Sequence, residues 1–496
     1  MSKQPPIART VVTVFVLKCK NVTTSRFIGS NAGEMLRVAQ RKMGTDMTES
    51  ESAALTLAQA AAATQWPSLP ADVQTMALDL FADSLAVVAG GAVHPVMQSL
   101  ASTVEAADGP STLIGEKRGV AMRDAILLNA ATTTVLQRQD GYAHAKGHPA
   151  SQLVPVTLGL AERHGKTAEQ MLTALVAGYE VAARVGMALG GVPSHLHDNG
   201  NWAAIGHAAA AAHLLSDGDA HVIAAAIDGA ASLAQSFDRF TTAGGATMHH
   251  LYPAMAATQA IAVAEGAVAG LTPLPGSLER FYGPNLGSDF DAPLLMDGIE
   301  SGSWSRFEIL NGYFKLHPSC AHLHGVNDAV DALITEHGVT EENIASVDVA
   351  TFGEAMEIDT DTPANDLAAR FSAKATVAAA IRHGVLDDGG LLDLTALQPL
   401  MDKITARHDP ALDKHTPAGR PGVVTITLTS GQSTSKEVIY PRGTSQTLAT
   451  PDERKDKALT LLARHYGENG ATAVYNAVMT LGHGGTIATL TNTLRT

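Results

Sequence analysis

The chain has 496 residues, 45% of them hydrophobic and only 4% aromatic, so it can form more than one domain with a core of small aliphatic side chains. Its net charge of −15 argues against a nucleic-acid partner. Two cysteines, Cys19 and Cys320, suggest no disulfide framework and favour a reducing compartment, which we take to be the cytoplasm.

The first 46 residues differ from the rest of the chain, because they hold eight Lys and Arg residues against two acidic ones. Their apolar run, residues 11–17, precedes two lysines and has no clear cleavage site, which is a poor match to a signal peptide. We expect residues 1–46 to be disordered or to reflect a misassigned start, with Met47 as the true first residue. A targeting extension is the alternative. The sequence has no run of 18 apolar residues, so we expect no membrane span.

Residues 49–270 show a helical pattern almost throughout, interrupted by prolines and by glycine pairs such as Gly190-Gly191. The Ala-rich segments 203–215 and 255–269 predict buried helices. We therefore expect residues 47–311 to form a large all-α domain.

The pattern changes after Trp304. Residues 346–352 alternate like a strand, and segments 423–428 and 436–440 flank a turn at Ser430-Gly431, which predicts a β-hairpin. Because a helical pattern at 373–383 lies between them, residues 312–445 predict a smaller α+β domain. Residues 446–496 predict helices that return to the large domain. The expected fold class is mainly α.

Four polar clusters interrupt these elements. Residues 140–148 combine five groups that can move protons or bind carboxylates with two glycines, which predicts a shaped loop: Asp140, Tyr142, His144, Lys146 and His148. The others are 195–199 with His197, 248–250 with His249 and His250, and 315–324 with Lys315 and Cys320. The second and third precede predicted helices, whose free N–H groups favour anions. Such histidines also serve as caps or surface groups, so each cluster has a purely structural interpretation as well.

Metal and nucleotide sites are not indicated. Adjacent histidines cannot easily ligate one ion, and the sequence has no HExxH or CxxC spacing and no P-loop. We expect no metal and no bound nucleotide. The clusters instead predict acid/base chemistry on a small di- or tricarboxylic acid, in which a base removes a proton next to a carboxylate and a cation stabilises the resulting enediolate. Tyr142, His144 and His249 are candidates for the acid, and Lys146, His144, His250, Lys315 and Cys320 for substrate binding.

Several stretches, in a fixed order from about residue 47 to about 463, resemble the MmgE/PrpD family. They are Asp140 with His148-Pro-Ala-Ser151, the Gly/Ala-rich segment 201–212 after His197, segment 278–283, Lys315 with Pro-Ser-Cys320, segment 369–372, and the hairpin with its Pro-Arg-Gly turn at 423–443. This family includes 2-methylcitrate dehydratase, cis-aconitate decarboxylase and iminodisuccinate epimerase.

The resemblance implies a large all-α domain, an α+β lid domain, a homodimer, no cofactor, and an active site in the cleft between the domains. It places Asp140, His148, His197 and Lys315 at catalytic or substrate-binding positions.

The sequence departs from the family pattern at two positions. His249 occupies the region where the family often has a lysine, and Cys320 stands where the decarboxylases tend to carry a histidine. Since His is largely neutral at pH 7, either the substrate carries fewer carboxylates or Lys146 supplies the charge.

The first hypothesis is therefore a lyase that dehydrates a hydroxy-polycarboxylate such as 2-methylcitrate. An epimerase acting on an iminodisuccinate-like dicarboxylate, a decarboxylase of a cis-aconitate-like acid, and a non-catalytic carboxylate-binding relative are the alternatives. The departure at Cys320 counts against the decarboxylase, and the sequence does not separate the first two.

Overall fold

The computed structural model describes Thr48 and residues 52–104 and 109–496, so the predictions for residues 1–46 lie outside the described residues. Met47–Thr496 form one compact unit. The expected fold class is confirmed, because helices dominate and one mixed sheet forms the centre of a smaller α+β part.

The first part of the chain is almost entirely helical. Its helices are α1 (Ala53–Ala63), α2 (Ala71–Ala92), α3 (Pro95–Ala101), α4 (Met122–Thr132), α5 (Pro149–His164), α6 (Ala168–Ala188), α7 (Ala203–Ser216), α8 (Ala220–Ser232), α9 (Phe240–Ala243), α10 (Leu251–Val268) and α11 (Gly283–Leu286). Two-residue strands lie between and after them: β1 (Ser111–Thr112) with β2 (Gly119–Val120), β3 (Gly141–Tyr142) with β6 (Gly312–Tyr313), and β4 (Ile299–Glu300) with β5 (Ser303–Trp304).

The remainder alternates helices with longer strands. In chain order it comprises α12 (His324–His337), β7 (Ile344–Thr351), α13 (Gly353–Glu357), α14 (Asp366–Ala369), α15 (Ala373–His383), α16 (Leu394–Met401), β8 (Ile404–His408), β9 (Gly422–Leu428), β10 (Ser433–Val438), α17 (Pro451–Met479) and α18 (Ile487–Leu494). Short 3-10 or π turns connect several elements, and one of them, Thr247–His250, leads directly into α10.

Helix α7 is the centre of the helical part, in contact with α6, α8 and α10. Its alanines from Ala208 to Ala212 are at most 1% exposed. Small side chains let neighbouring helices approach closely, which is how a chain with few aromatic residues reaches a dense core. The closest approach is at Gly206 of α7, where an added Cβ would lie 2.3 Å from the carbonyl oxygen of Gly178 in α6.

The four-stranded sheet has the order β10-β9-β7-β8, with β7 and β8 parallel and the other pairs antiparallel. Val347 lies opposite both Ile426 and Ile404, and Val349 lies opposite Val424. These side chains share one core with α12 and α15. The strand predicted at 346–352 and the hairpin are therefore present, whereas the parallel strand β8 was not predicted.

The last long helix, α17, runs along α2 and changes direction at Gly467, whose φ is +66°. Its Lys457 is 4% exposed, lies 2.6 Å from the Asp83 carboxylate and donates to the carbonyl of Arg138 at 2.7 Å. Helix α17 thereby supports the chain just before the loop at residues 140–148. Helices α2 and α6 are long and apolar enough to cross a membrane, but both are largely buried within this fold.

Replacing Gly206 by Ala tests the close packing of α6 and α7. Although Ala favours helix, the added methyl would overlap the Gly178 carbonyl, so we expect the free energy of unfolding in urea to fall by about 1–3 kcal/mol. Gly229→Ala in α8 is the control, because its Cβ would meet only a Val263 methyl at 3.0 Å. Equal stability of both variants would contradict this packing.

Candidate active site

A cavity of about 400 Å³ is lined by residues of both the helical part and the α+β part. Its wall contains most of the chemically active side chains singled out above, together with several that were not. The lining includes Gln137, Lys146, His148, His197, Asp198, Arg239, His249, Tyr313, Lys315, Cys320, His322, Glu354, Glu357 and Arg420.

Two short backbone pairings bring these distant segments together. In the β3–β6 ribbon Gly141 pairs with Tyr313 and Tyr142 with Gly312, which sets the 140–148 loop beside the segment that carries Lys315. Gly141 has to be a glycine here, because a Cβ would lie 2.0 Å from the Tyr313 ring. In the second pairing, the His197 N–H donates to the carbonyl of Phe237 at 2.7 Å, which holds the His197 loop against the segment leading to Arg239.

Asp140 organises the loop without lining the cavity. Its carboxylate accepts the backbone N–H groups of Ala150 and Ser151 at 2.9 and 2.8 Å, at the beginning of α5. Its backbone carbonyl lies 2.5 Å from Nδ1 of His148. Burial raises the pKa of the Asp140 carboxyl to about 6, against the opposing effect of those N–H donors. Asp140 therefore acts as a positioning residue in this geometry, holding both a helix terminus and an imidazole.

His148 is held in one tautomer. A carbonyl oxygen only accepts hydrogen bonds, so Nδ1 of His148 must carry the proton that it donates to Asp140. Nε2 is then unprotonated in the neutral ring, which lines the cavity. Burial and the nearby Lys315 charge lower the pKa of His148 to about 3. The side chain is consequently a neutral base across the physiological pH range.

His197 has a partner in either protonation state. Its Nδ1 lies 2.9 Å from the backbone N–H of Asn199 and 3.1 Å from the carboxylate of Asp198. A neutral Nδ1 can accept from Asn199, and a protonated Nδ1 can donate to Asp198. Burial opposes ionisation of Asp198, but the hydrogen bond and charge of His197 outweigh it and hold the pKa of that carboxyl below its usual range. Such a histidine can both give and take a proton.

His249 and Lys315 meet through Gln137. Oε1 of Gln137 lies 3.5 Å from Nζ of Lys315, and its Nε2 lies 3.5 Å from Nε2 of His249. Burial, with nearby positive charges, lowers the pKa of His249 well below its ordinary value, so this ring supplies no fixed charge. Its ring lies 4.9 Å from that of His197. The cation is Lys315, which is 1% exposed and whose pKa burial lowers to about 8.

Arg420 is a second buried cation on the cavity wall, 7% exposed. Its Nη1 donates to the backbone carbonyls of Pro417 and Gly419, at 2.5 and 2.9 Å. Carbonyls orient the guanidinium without neutralising it. Lys315 and Arg420 together can bind two carboxylates or stabilise an enediolate.

Four of the predicted site residues do not reach the cavity wall. Besides Asp140, Tyr142 is buried and donates to Glu308 Oε2 at 2.5 Å, which explains why its pKa is raised: burial and the Glu308 carboxylate both disfavour the phenolate. His144 is exposed, and His250 lies 3.0 Å from the Thr134 hydroxyl. Their predicted roles as acid or substrate contact have no supporting contact here. His148, His197, His249, Lys146, Lys315 and Cys320 do line the cavity.

Sequence reasoning missed Arg239, Arg420, Gln137 and the glutamates of α13. One signal was present for the arginines, because an acidic chain that binds an anion must gather its few cations at the site. Gln137 has no such signal, since its position depends on a left-handed backbone with φ of +50°. His322 was part of the fourth cluster but was not selected.

A possible cation site lies outside this cavity, where His317, Asp328 and Asp331 bring ligand atoms within 4.8 Å of one another. Nε of Arg442 already donates to Asp328 at 3.0 Å, and its Nη2 lies 3.4 Å from Asp331. The guanidinium neutralises these carboxylates, so the group fits an ion-pair network better than a metal site.

Two family models match separate parts of this chain. Residues 55–284 match the MmgE/PrpD N-terminal domain, and residues 317–481 match the MmgE/PrpD C-terminal domain. The cis-aconitate decarboxylase-like protein oryM of Aspergillus oryzae (strain ATCC 42149 / RIB 40) is 23% identical over 449 residues, which are 83% of this chain and 91% of that protein.

Removing the Asp140 side chain tests its structural role. We expect Asp140→Ala to lower the free energy of unfolding by about 1–2 kcal/mol, because two N–H groups of α5 lose their acceptor, and Asp140→Asn to lose less because one acceptor remains. Asp393→Ala is the control: Asp393 caps α16 through one exposed bond to Ala396. If urea denaturation finds Asp140→Ala no less stable than Asp393→Ala, the assignment is wrong.

Proposed function

The chain belongs to the MmgE/PrpD family, and on that premise we propose that it is a cofactor-independent carbon–oxygen lyase that eliminates water from a hydroxy-polycarboxylate, the class to which 2-methylcitrate belongs. The observation that carries the proposal is the 2.5 Å contact between Nδ1 of His148 and the Asp140 carbonyl, from which the tautomer of His148 follows. Its Nδ1–H is donated to the Asp140 carbonyl, so an unprotonated Nε2 shares a cavity with His197 and Lys315. The substrate is a small di- or tricarboxylic acid. Homodimer assembly and a cytoplasmic location remain predictions.

In the first step, Nε2 of His148 takes the proton on the carbon next to a substrate carboxylate. A base with a pKa of about 3 is weak before substrate binds. A bound polycarboxylate adds negative charge beside the ring and raises that pKa, because an opposite charge favours the imidazolium. The base therefore gains strength when substrate is present.

The electron pair left on carbon delocalises into the carboxylate as an enediolate. Lys315 and Arg420 are the buried cations that can meet this charge, and burial strengthens the attraction because little water screens it. In the second step the enediolate pair forms the carbon–carbon double bond as the carbon–oxygen bond breaks. Protonated His197 gives its proton to the departing hydroxyl, which leaves as water, and Asp198 stabilises His197 while it is charged.

An epimerase is the second candidate, because His148 and His197 line the same cavity and a proton taken by one could be returned by the other. Its first step is identical, and only the fate of the enediolate differs. The Aspergillus relative is named cis-aconitate decarboxylase-like, and a decarboxylation would release carbon dioxide rather than water.

Nuclear magnetic resonance of di- and tricarboxylic acids in D₂O separates these outcomes. We expect alkene signals from a hydroxy acid, and we expect His148→Gln to slow their appearance by about 10²–10⁴-fold, the usual contribution of a general base. His144→Gln is the matched control, since His144 is in the same loop but is exposed and outside the cavity lining. Exchange without alkene would identify an epimerase and loss of a carboxylate a decarboxylase. Undiminished activity of His148→Gln would refute the mechanism.

Lys315 predicts an alkaline limit to activity. Because its pKa is about 8, Lys315 loses its charge as pH rises through that value, and kcat/KM should then fall by about tenfold per pH unit. Lys315→Arg should have a lower maximum but keep its activity at higher pH, since arginine stays protonated. Lys146→Arg should retain the wild-type limit. An identical alkaline limb in the wild type and Lys315→Arg would show that another group titrates.

A further inference from the structure

Two glutamates line the cavity that we propose binds polycarboxylates. Glu354 and Glu357, both on the short helix α13, line the same wall as Lys146 and Arg239. Like charges repel, so a carboxylate of the protein disfavours a carboxylate of the substrate at the same place. The presence of protein carboxylates in a cavity that binds anions therefore needs a physical explanation.

Glu354 is directly paired with Lys146. Its Oε1 accepts from Nζ of Lys146 at 2.7 Å, and both side chains remain 36–39% exposed, on the cavity rather than in the core. Both ends of the pair are held by the backbone. Lys146 has a left-handed conformation with φ of +54°, which a lysine adopts only where the surrounding fold imposes it. On the other side, the N–H of Gly353 donates to Asp413 and fixes the beginning of α13.

The second glutamate, Glu357, forms a longer and weaker ion pair. Glu357 lies 3.9 Å from Arg239 and is 61% exposed, so it neutralises that guanidinium weakly. Lys315 and Arg420 differ from both paired cations. Within residues 52–104 and 109–496, their hydrogen bonds go to an amide oxygen and to backbone carbonyls, and no carboxylate forms an ion pair with either.

The cavity thus offers two buried cations, Lys315 and Arg420, without an ion-pair partner in the described part of the chain. Its other two cations, Lys146 and Arg239, each already face a carboxylate of α13. A dicarboxylate can bind Lys315 and Arg420 and leave the Lys146–Glu354 pair intact. A third carboxylate would have to compete with Glu354 for Lys146 or with the weakly paired Glu357 for Arg239. The 2.7 Å contact of Glu354 with Lys146 is the tighter of the two pairs, so Glu354 is the stronger competitor of a third substrate carboxylate.

We propose that Glu354 is a specificity-determining residue, which occupies Lys146 and so makes the site prefer dicarboxylates to tricarboxylates. This inference rests on the proposed function, because it assumes that the cavity binds polycarboxylates, and within that class it favours hydroxy dicarboxylates over tricarboxylates such as 2-methylcitrate. It does not depend on which reaction follows. Glu354 acts on substrate choice through Lys146 and has no part in the proton transfers.

Two probes that cannot react differ by a single carboxylate: pentanedioate and propane-1,2,3-tricarboxylate. Calorimetric titration of the full chain should show that Glu354→Gln lowers the Kd of the tricarboxylate by about fivefold, the upper range for an exposed ion pair, and changes the Kd of pentanedioate less than about twofold. Lys146→Asn, which tolerates the left-handed backbone, should abolish this gain when combined with Glu354→Gln.

Two control variants test whether the effect is specific to Glu354. Glu336→Gln breaks a comparable 2.8 Å pair with Lys436 outside the cavity lining and should change neither Kd. Glu357→Gln should have a smaller effect than Glu354→Gln. If both probes bind but Glu354→Gln leaves their Kd ratio unchanged, the inference is wrong and the proposed function stands. If neither probe binds any variant, the substrate class itself is wrong.

Discussion

The two roles of Asp140 are the constraint on which the rest of the site depends. Its carboxylate accepts the first N–H groups of α5, and its carbonyl accepts Nδ1 of His148. One residue thereby fixes where the helix begins and which ring nitrogen of His148 is free. The adjoining ribbon of β3 with β6 then places this loop beside Lys315, more than 160 residues further along the chain. The Asp140 contacts and the β3–β6 ribbon together place His148 and Lys315 in the same cavity.

Burial produces both of the charge states that acid/base chemistry on a carboxylate needs. It lowers the pKa of His148 to about 3, which keeps the base neutral, and that of Lys315 to about 8, which leaves the cation charged at neutral pH. The same low-polarity environment strengthens each interaction with a developing enediolate. The protein as a whole is acidic, so the cations at this cavity are a local exception to its net charge of −15. Glu354 reduces this local positive charge, because it forms an ion pair with Lys146.

The sequence predicted most of the fold because its signals are local. Alanine-rich periodicity predicted α7, and the Ser430-Gly431 turn predicted the hairpin of β9 with β10. It did not predict β8, whose partner β7 lies more than 50 residues earlier and whose pairing is parallel. The same limit applies to the site. His148, His197 and Lys315 stood out as chemical types, whereas Arg420 depends on tertiary placement. Tyr142 was chosen for its chemistry, but its side chain is directed to Glu308 rather than to the cavity.

The central claim is that His148 presents an unprotonated Nε2 to the cavity, and ¹⁵N magnetic resonance of histidine-labelled protein measures it directly. Comparison of the wild type with His148→Gln assigns the ring signals. The account predicts a protonated Nδ1 and an unprotonated Nε2 from about pH 5 to about pH 8 in the ligand-free protein, since the pKa is about 3. A proton on Nε2 in the neutral ring, or a titration near the ordinary histidine pKa of about 6.5, would contradict it.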